Sequence, residues 1–309
     1  MKILLSSALI FLCCSLVRAQ SVAADAQPPA SNHAAIVKEC KLVLAQKHSK
    51  KERYEILLKL SRTYADAGNS EKAVEFCQEA ITLFPKKEDA HLLVAQVYQH
   101  NELYELARQE FVTVLRYNRK SFNASFAMAQ LYLQQGLMTQ AMEYFRKAMA
   151  IQPTTELYRA MAQCAENSGD LDLSITLLQQ AIFREERYDD LLHLGNLYEQ
   201  GKNFTGAEKS ISRAIEIDPG RVEGYLAAGL VHLRNNNLPL AEHFLRIAQD
   251  KAPKEGSIHF FLAVLSFHRG NRAEAMKENA QAMWLSRTDI LTAYTYKFDH
   301  FLASREKKH

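Results

Sequence analysis

The chain has 309 residues, with 38 lysines and arginines against 35 aspartates and glutamates and a formal net charge of +3. A balance so near neutrality excludes the electrostatic footprint of a nucleic-acid-binding protein, whose affinity rests on neutralising phosphates. Alanine, leucine, glutamate, glutamine and lysine are abundant while prolines number only 7 and glycines 11, a bias that predicts an all-α protein.

Residues 1–19 have the form of a secretory signal peptide. Lys2 gives the basic start, Ile3 to Leu16 an apolar run, and Val17-Arg18-Ala19 a small-x-small cleavage site before Gln20. The run is shorter than the roughly 20 residues a spanning helix needs. Cleavage and export to a bacterial periplasm are therefore expected. Membrane association is expected only if the signal is retained as an anchor or lipidated at Cys14. Loss of Lys2 and Arg18 with the signal brings the mature chain still closer to neutrality. The cysteines left are Cys40, Cys77 and Cys164, an odd set that leaves at least one thiol unpaired within the molecule. A Cys40–Cys77 disulfide is one pairing open to the others, and no CxxC supports redox chemistry.

Residues 20–32, polar and alanine-rich with Pro28-Pro29, read as a flexible tether. Ser31 or Asn32 can cap a helix carrying Ile36, Val37, Cys40 and Leu44 on one face, and 33–53 is assigned to an amino-terminal capping helix. Seven units of nearly constant length follow over 54–289: 54–87, 88–121, 122–154, 155–187, 188–221, 222–255 and 256–289. The fifth is the most regular. Leu191, Leu194 and Tyr198 recur three and four apart and share the face of a first helix. Gly201 is expected to let the chain turn. Ala207, Ile211 and Ala214 then form the facing stripe of a second helix, which Pro219 ends. The register holds in the other units with departures at Arg119, Ala165, Ser174, His232, Asn279 and Arg287. Residues 290–309 place Ile290, Tyr294, Phe298, Phe301 and Leu302 on one face, as a carboxy-terminal capping helix or, alternatively, a homodimer contact would.

This spacing, with small residues at positions 8, 20 and 27 and proline at 32 of a 34-residue period, resembles the tetratricopeptide repeat. The resemblance implies a right-handed α-solenoid of about seven helix pairs with caps at both ends, presenting its first helices on a concave, ligand-binding surface. By that analogy Arg62, Gln96, Gln130, Gln163 and Asn196 line a peptide-binding groove, with Gln99, Gln134 and Gln200 beside them. Side-chain amides both donate and accept, which suits the backbone of an extended peptide; glutamine is equally a good exposed helix residue. Leu226, Leu230, Leu233, Phe260, Val264 and Phe267 make an apolar stripe at the same positions of the last two units. Left open it would mark an interface; the chain's own final helix is the favoured cover.

Other chemistry is thinly supported. His91, His232, His243, His259 and His268 show no recognised ligand spacing, so no metal is expected, and His232 and His259 are assigned tyrosine-like packing. No phosphate loop, GxSxG or paired carboxylate suggests an enzyme or a cofactor. Asn123-Ala124-Ser125 and Asn203-Phe204-Thr205 match the glycosylation pattern, which matters only in a eukaryotic source. The expected function is a non-enzymatic scaffold of the bacterial envelope that binds a protein or peptide segment of an envelope or secretion complex. The alternatives are a periplasmic chaperone or assembly factor for an outer-membrane or pilus complex, and an adaptor regulating a cell-wall enzyme.

Overall fold

The structure, a computed structural model, describes residues 30–46 and 48–285 together with Thr295 and Phe298. The segment expected to be a signal peptide, most of the expected tether and most of 290–309 lie outside the described residues. Among the described residues there are fifteen α-helices and no strand. Two compact units divide them, Ala26–Leu177 and Leu178–His309.

In the first unit α1 (Ala30–Leu44) precedes three helix pairs and the first helix of a fourth. The pairs are α2 (Lys50–Asp66) with α3 (Ser70–Leu83), α4 (Glu88–His100) with α5 (Tyr104–Tyr117), and α6 (Phe122–Gln134) with α7 (Met138–Ile151). Helix α8 (Thr155–Asn167) follows, and α9 (Leu171–Arg184) runs across the division between units. The second unit continues with α10 (Tyr188–Gln200) and α11 (Phe204–Ile217), α12 (Val222–Arg234) and α13 (Leu238–Lys251), and α14 (Gly256–His268) and α15 (Arg272–Leu285). Within each unit the helices of a pair pack together, each second helix packs on the next first helix, and successive first helices touch. That is solenoid stacking.

Small residues set the helix spacing. Ala73, Ala107, Ala141, Ala207, Ala241 and Ala275 are completely buried at equivalent points of the second helices. At Gly195 a Cβ would lie 2.5 Å from Ile211 Cγ1, so the Ile211 side chain of α11 packs into space that the glycine leaves open. Ser174, a departure from the pattern, donates its hydroxyl to the Ala162 carbonyl at 2.9 Å. Ser61 mirrors it, donating to Ala73 at 2.7 Å. Each hydroxyl fills the place of a small side chain and satisfies itself on the facing helix.

The ends of the helices are chemically explicit. Asn69, Asn203 and Asn237 each accept a backbone N–H three residues on and so cap a second helix, whereas Leu103 and Leu137 occupy the same place with no side-chain cap. Ser49 and Glu52 form a reciprocal capping box. This box corrects the boundary assigned to 33–53: the segment is two elements, and Lys50 to Arg53 belong to the first helix of the first repeat. Ala30 to Asn32 likewise begin α1 rather than end the tether.

The turn inside each repeat differs from expectation at Gly201. That residue has φ −73°, and the left-handed residue is its neighbour Lys202, at φ +60°. The same position is left-handed in every repeat, as Gly68, Glu102, Gly136, Gly169, Lys202, Asn236 and Gly270. The Cys40–Cys77 pairing is not formed. Cys40, Cys77 and Cys164 are all free and buried; Cys77 Sγ instead sits 2.9 Å from Ser61 Oγ, and burial pushes its thiol up to about 11.

Candidate peptide-binding face

The amide residues sit on first helices because positions three and four apart on a helix share a face. In the first unit Arg62 on α2, Gln96 on α4, Gln130 and Gln134 on α6 and Gln163 on α8 are exposed, and Gln99 is half-buried. Gln99 Nε2 donates to Gln134 Oε1 at 2.8 Å, joining neighbouring repeats through their side chains. In the second unit Asn196 and Gln200 are half-buried on α10. The Nε2 of Gln200 is enclosed and makes no hydrogen bond among the described residues.

Beside Gln200 lies a feature the sequence reading missed. Glu199, 6% exposed, forms an ion pair with Arg234 of α12. Burial raises the carboxyl of Glu199, and the guanidinium of Arg234 opposes that rise. The two residues stand 35 apart, and a one-repeat spacing of opposite charges was the signal that could have revealed them.

The apolar stripe is not an open groove. Leu226, Leu230, Leu233, Phe260 and Val264 are at most 3% exposed, and Phe267 is half-buried. They belong to a cluster with Leu245, Phe261, Leu262 and Phe298. Phe298 packs edge-on to Phe260 and to Phe267, each at 5.9 Å between centroids. Asn279 adds a tether, its Nδ2 donating to the Thr295 carbonyl at 3.0 Å. Phe298, in the final segment that was the favoured cover, thus closes the Phe260–Phe267 end of the stripe, whose residues are core rather than an open partner groove.

His232 is a packing residue too. His232 stacks on Phe244 at 5.5 Å and 7°, as Tyr64 stacks on Phe76 in the first repeat, and burial lowers its pKa. Among the described residues no group of three or more histidines, cysteines or carboxylates is placed to hold a metal. No described helix is long and apolar enough to cross a membrane.

Family models of the tetratricopeptide repeat match residues 54–87, 100–164, 159–222 and 226–283. The chain belongs to the tetratricopeptide repeat family. As a tetratricopeptide protein it has the fold of a protein-interaction module, in a family whose members generally act as non-enzymatic scaffolds.

It is 26% identical over 179 residues to anaphase-promoting complex subunit 3 of Schizosaccharomyces pombe, covering 56% of this chain and 26% of that protein. It is 25% identical over 168 residues to BBSome complex member BBS4 of Bos taurus, covering 54% and 32%. The chain thus spans well under half the length of these relatives. Its fold is similar to that of the C-terminal part of a repeat protein from Cytophaga hutchinsonii. That similarity has a TM-score of 0.64 at 15% identity and covers 77% of this chain and 98% of the other. The fold is also similar to that of PilW, a type IV pilus biogenesis factor, with a TM-score of 0.54 at 17% identity, covering 67% and 97%.

Proposed function

We propose that this tetratricopeptide protein is a non-enzymatic scaffold that holds an extended protein segment against the amide face of α2, α4, α6 and α8 after export to the bacterial envelope. The observation that carries the reading is the exposed row Gln96, Gln130 and Gln163, one at the same position of three consecutive repeats. Amides in series can accept from a peptide N–H and donate to a peptide carbonyl without demanding charge on the partner. Export rests on the leader-like first nineteen residues. A second reading, an assembly factor for a pilus or secretion complex, is supported by the likeness to PilW.

The test is affinity capture from the envelope fraction, comparing mature protein with a variant carrying alanine at Gln96, Gln130, Gln163 and Asn196. A partner held by the first and lost by the equally helical variant is the expected result. A partner retained by both overturns the amide face as the site. Capture only during assembly of a secretion complex supports the second reading, and recovery of the protein from cytosol alone refutes export.

A further inference from the structure

The same side-chain arrangement occurs twice, at equivalent places in two repeats. His91 and Glu110 hold the fourth and twenty-third positions of the unit 88–121, and His259 and Glu278 hold them in 256–289. No other unit has histidine at the fourth or glutamate at the twenty-third position. His91 Nδ1 lies 2.7 Å from Glu110 Oε2, and its Nε2 lies 3.0 Å from the carbonyl of Pro85, near the end of the preceding repeat. His259 repeats this with Glu278 Oε2 at 2.7 Å and the Pro253 carbonyl at 3.1 Å.

Both of these partners are acceptors. A neutral imidazole has one N–H and one lone pair, so one nitrogen would face an acceptor's lone pair with no proton between them. Only the cation donates from both nitrogens. Each histidine is 6% exposed, which leaves little access for water to mend a mismatch. We propose that His91 is a buried imidazolium clamp, tying the proline end of one repeat to the second helix of the next, and that it makes the stacking of these repeats dependent on pH.

The surroundings support the charge at His91 and set it apart from His259. Around His91, Glu110 comes from α5, while Lys86, Glu88, Arg116 and Tyr117 line the adjacent cleft; Glu110 also faces Tyr98 and Cys77. The hydrogen bond to Glu110 raises the pKa of His91, outweighing its burial. Around His259, Glu278 is shared with Arg246 of α13 at 3.5 Å, and Arg246 also approaches Glu242 and Glu274 at 4.0 Å. The Gln249 amide nitrogen lies 3.4 Å from His259 Nδ1. His91 has its carboxylate without a competing arginine among the described ion pairs, so the clamp is assigned to it. A raised folded-state pKa means the clamp's stability is fully present below the ordinary histidine value of about 6.5. It is lost as pH rises through the folded value.

The sixth repeat supplies an uncharged version. Tyr225, at the fourth position, donates its hydroxyl to the Pro219 carbonyl at 3.2 Å, with Phe244 at the twenty-third. The paired substitution His91→Tyr with Glu110→Phe reproduces it and removes the titration. In the full chain, thermal midpoints of wild type are expected to fall between about pH 6 and pH 9. The paired variant should lose about half or more of that fall. An unchanged pH slope in a folded variant overturns the proposal. Histidine nitrogen NMR on the wild-type chain at about pH 7 is independent of how the variant folds. Both nitrogens protonated at His91 is the expected result, and a ring with one bare nitrogen there refutes the clamp.

Discussion

The left-handed turn within each repeat makes a prediction that separates backbone strain from packing. Gly136 has φ +74° and Lys202 φ +60° at the same repeat position. Their hydrogen bonds match: Gly136 N donates to Leu133 O at 3.1 Å and Lys202 N to Glu199 O at 2.9 Å, while the following residue bonds back to Tyr132 or Tyr198. A Cβ added at Gly136 would meet nothing within 4 Å, so a substitution there tests conformation alone. An L-residue in this region costs roughly 1–2 kcal/mol. Glycine gives back part of that through the entropy of the unfolded chain, roughly 0.5–1 kcal/mol. Lys202→Gly is therefore expected to stabilise by about 0.5–1 kcal/mol, and Gly136→Ala to destabilise by about 1 kcal/mol. Each kcal/mol moves a unit of this size by about 2–4 °C, within reach of urea and thermal unfolding followed by circular dichroism. If Lys202→Gly were neutral or destabilising with helicity intact, the turn would not be strained and the reasoning would fail. Asn236, at φ +59°, should gain less from glycine than Lys202, because asparagine visits this region more readily.

Two further outcomes follow from local geometry. Leu137→Asn supplies the missing cap of α7 and removes an exposed leucine, so a gain of about 1 kcal/mol is expected in urea unfolding; no gain would mean that end of α7 is already satisfied. Phe298→Ala removes the aromatic lid over Phe260 and Phe267. A loss of about 3–5 kcal/mol and increased binding of a hydrophobic dye should accompany it, and unchanged dye binding would show that Phe298 is not what keeps the stripe dry.

The helix pairs and their register were written in the sequence itself. Alanines at fixed spacing let two backbones approach, apolar residues three and four apart define the facing stripes, and prolines end second helices; each is a local rule that survives without knowing the fold. The exposed amides were legible for the same reason, since position on a helix follows from counting. What the tertiary structure decided depends on residues distant in sequence. Whether the chain's own end or a partner covers the apolar stripe was left open with the first favoured, and Phe298, more than thirty residues beyond Val264, decides it at Phe260 and Phe267. Asn279 departs from the repeat pattern because its partner is a backbone carbonyl at Thr295. The strained residue of the fifth turn is Lys202 rather than Gly201 because the backbone path of the turn, common to all seven repeats, assigns the left-handed conformation by position and not by residue type. The pairing of His91 with Glu110 and of His259 with Glu278 was visible as a repeated spacing of nineteen. Its meaning required the third partner, a proline carbonyl, which only the packing of one repeat on the next brings to the second ring nitrogen.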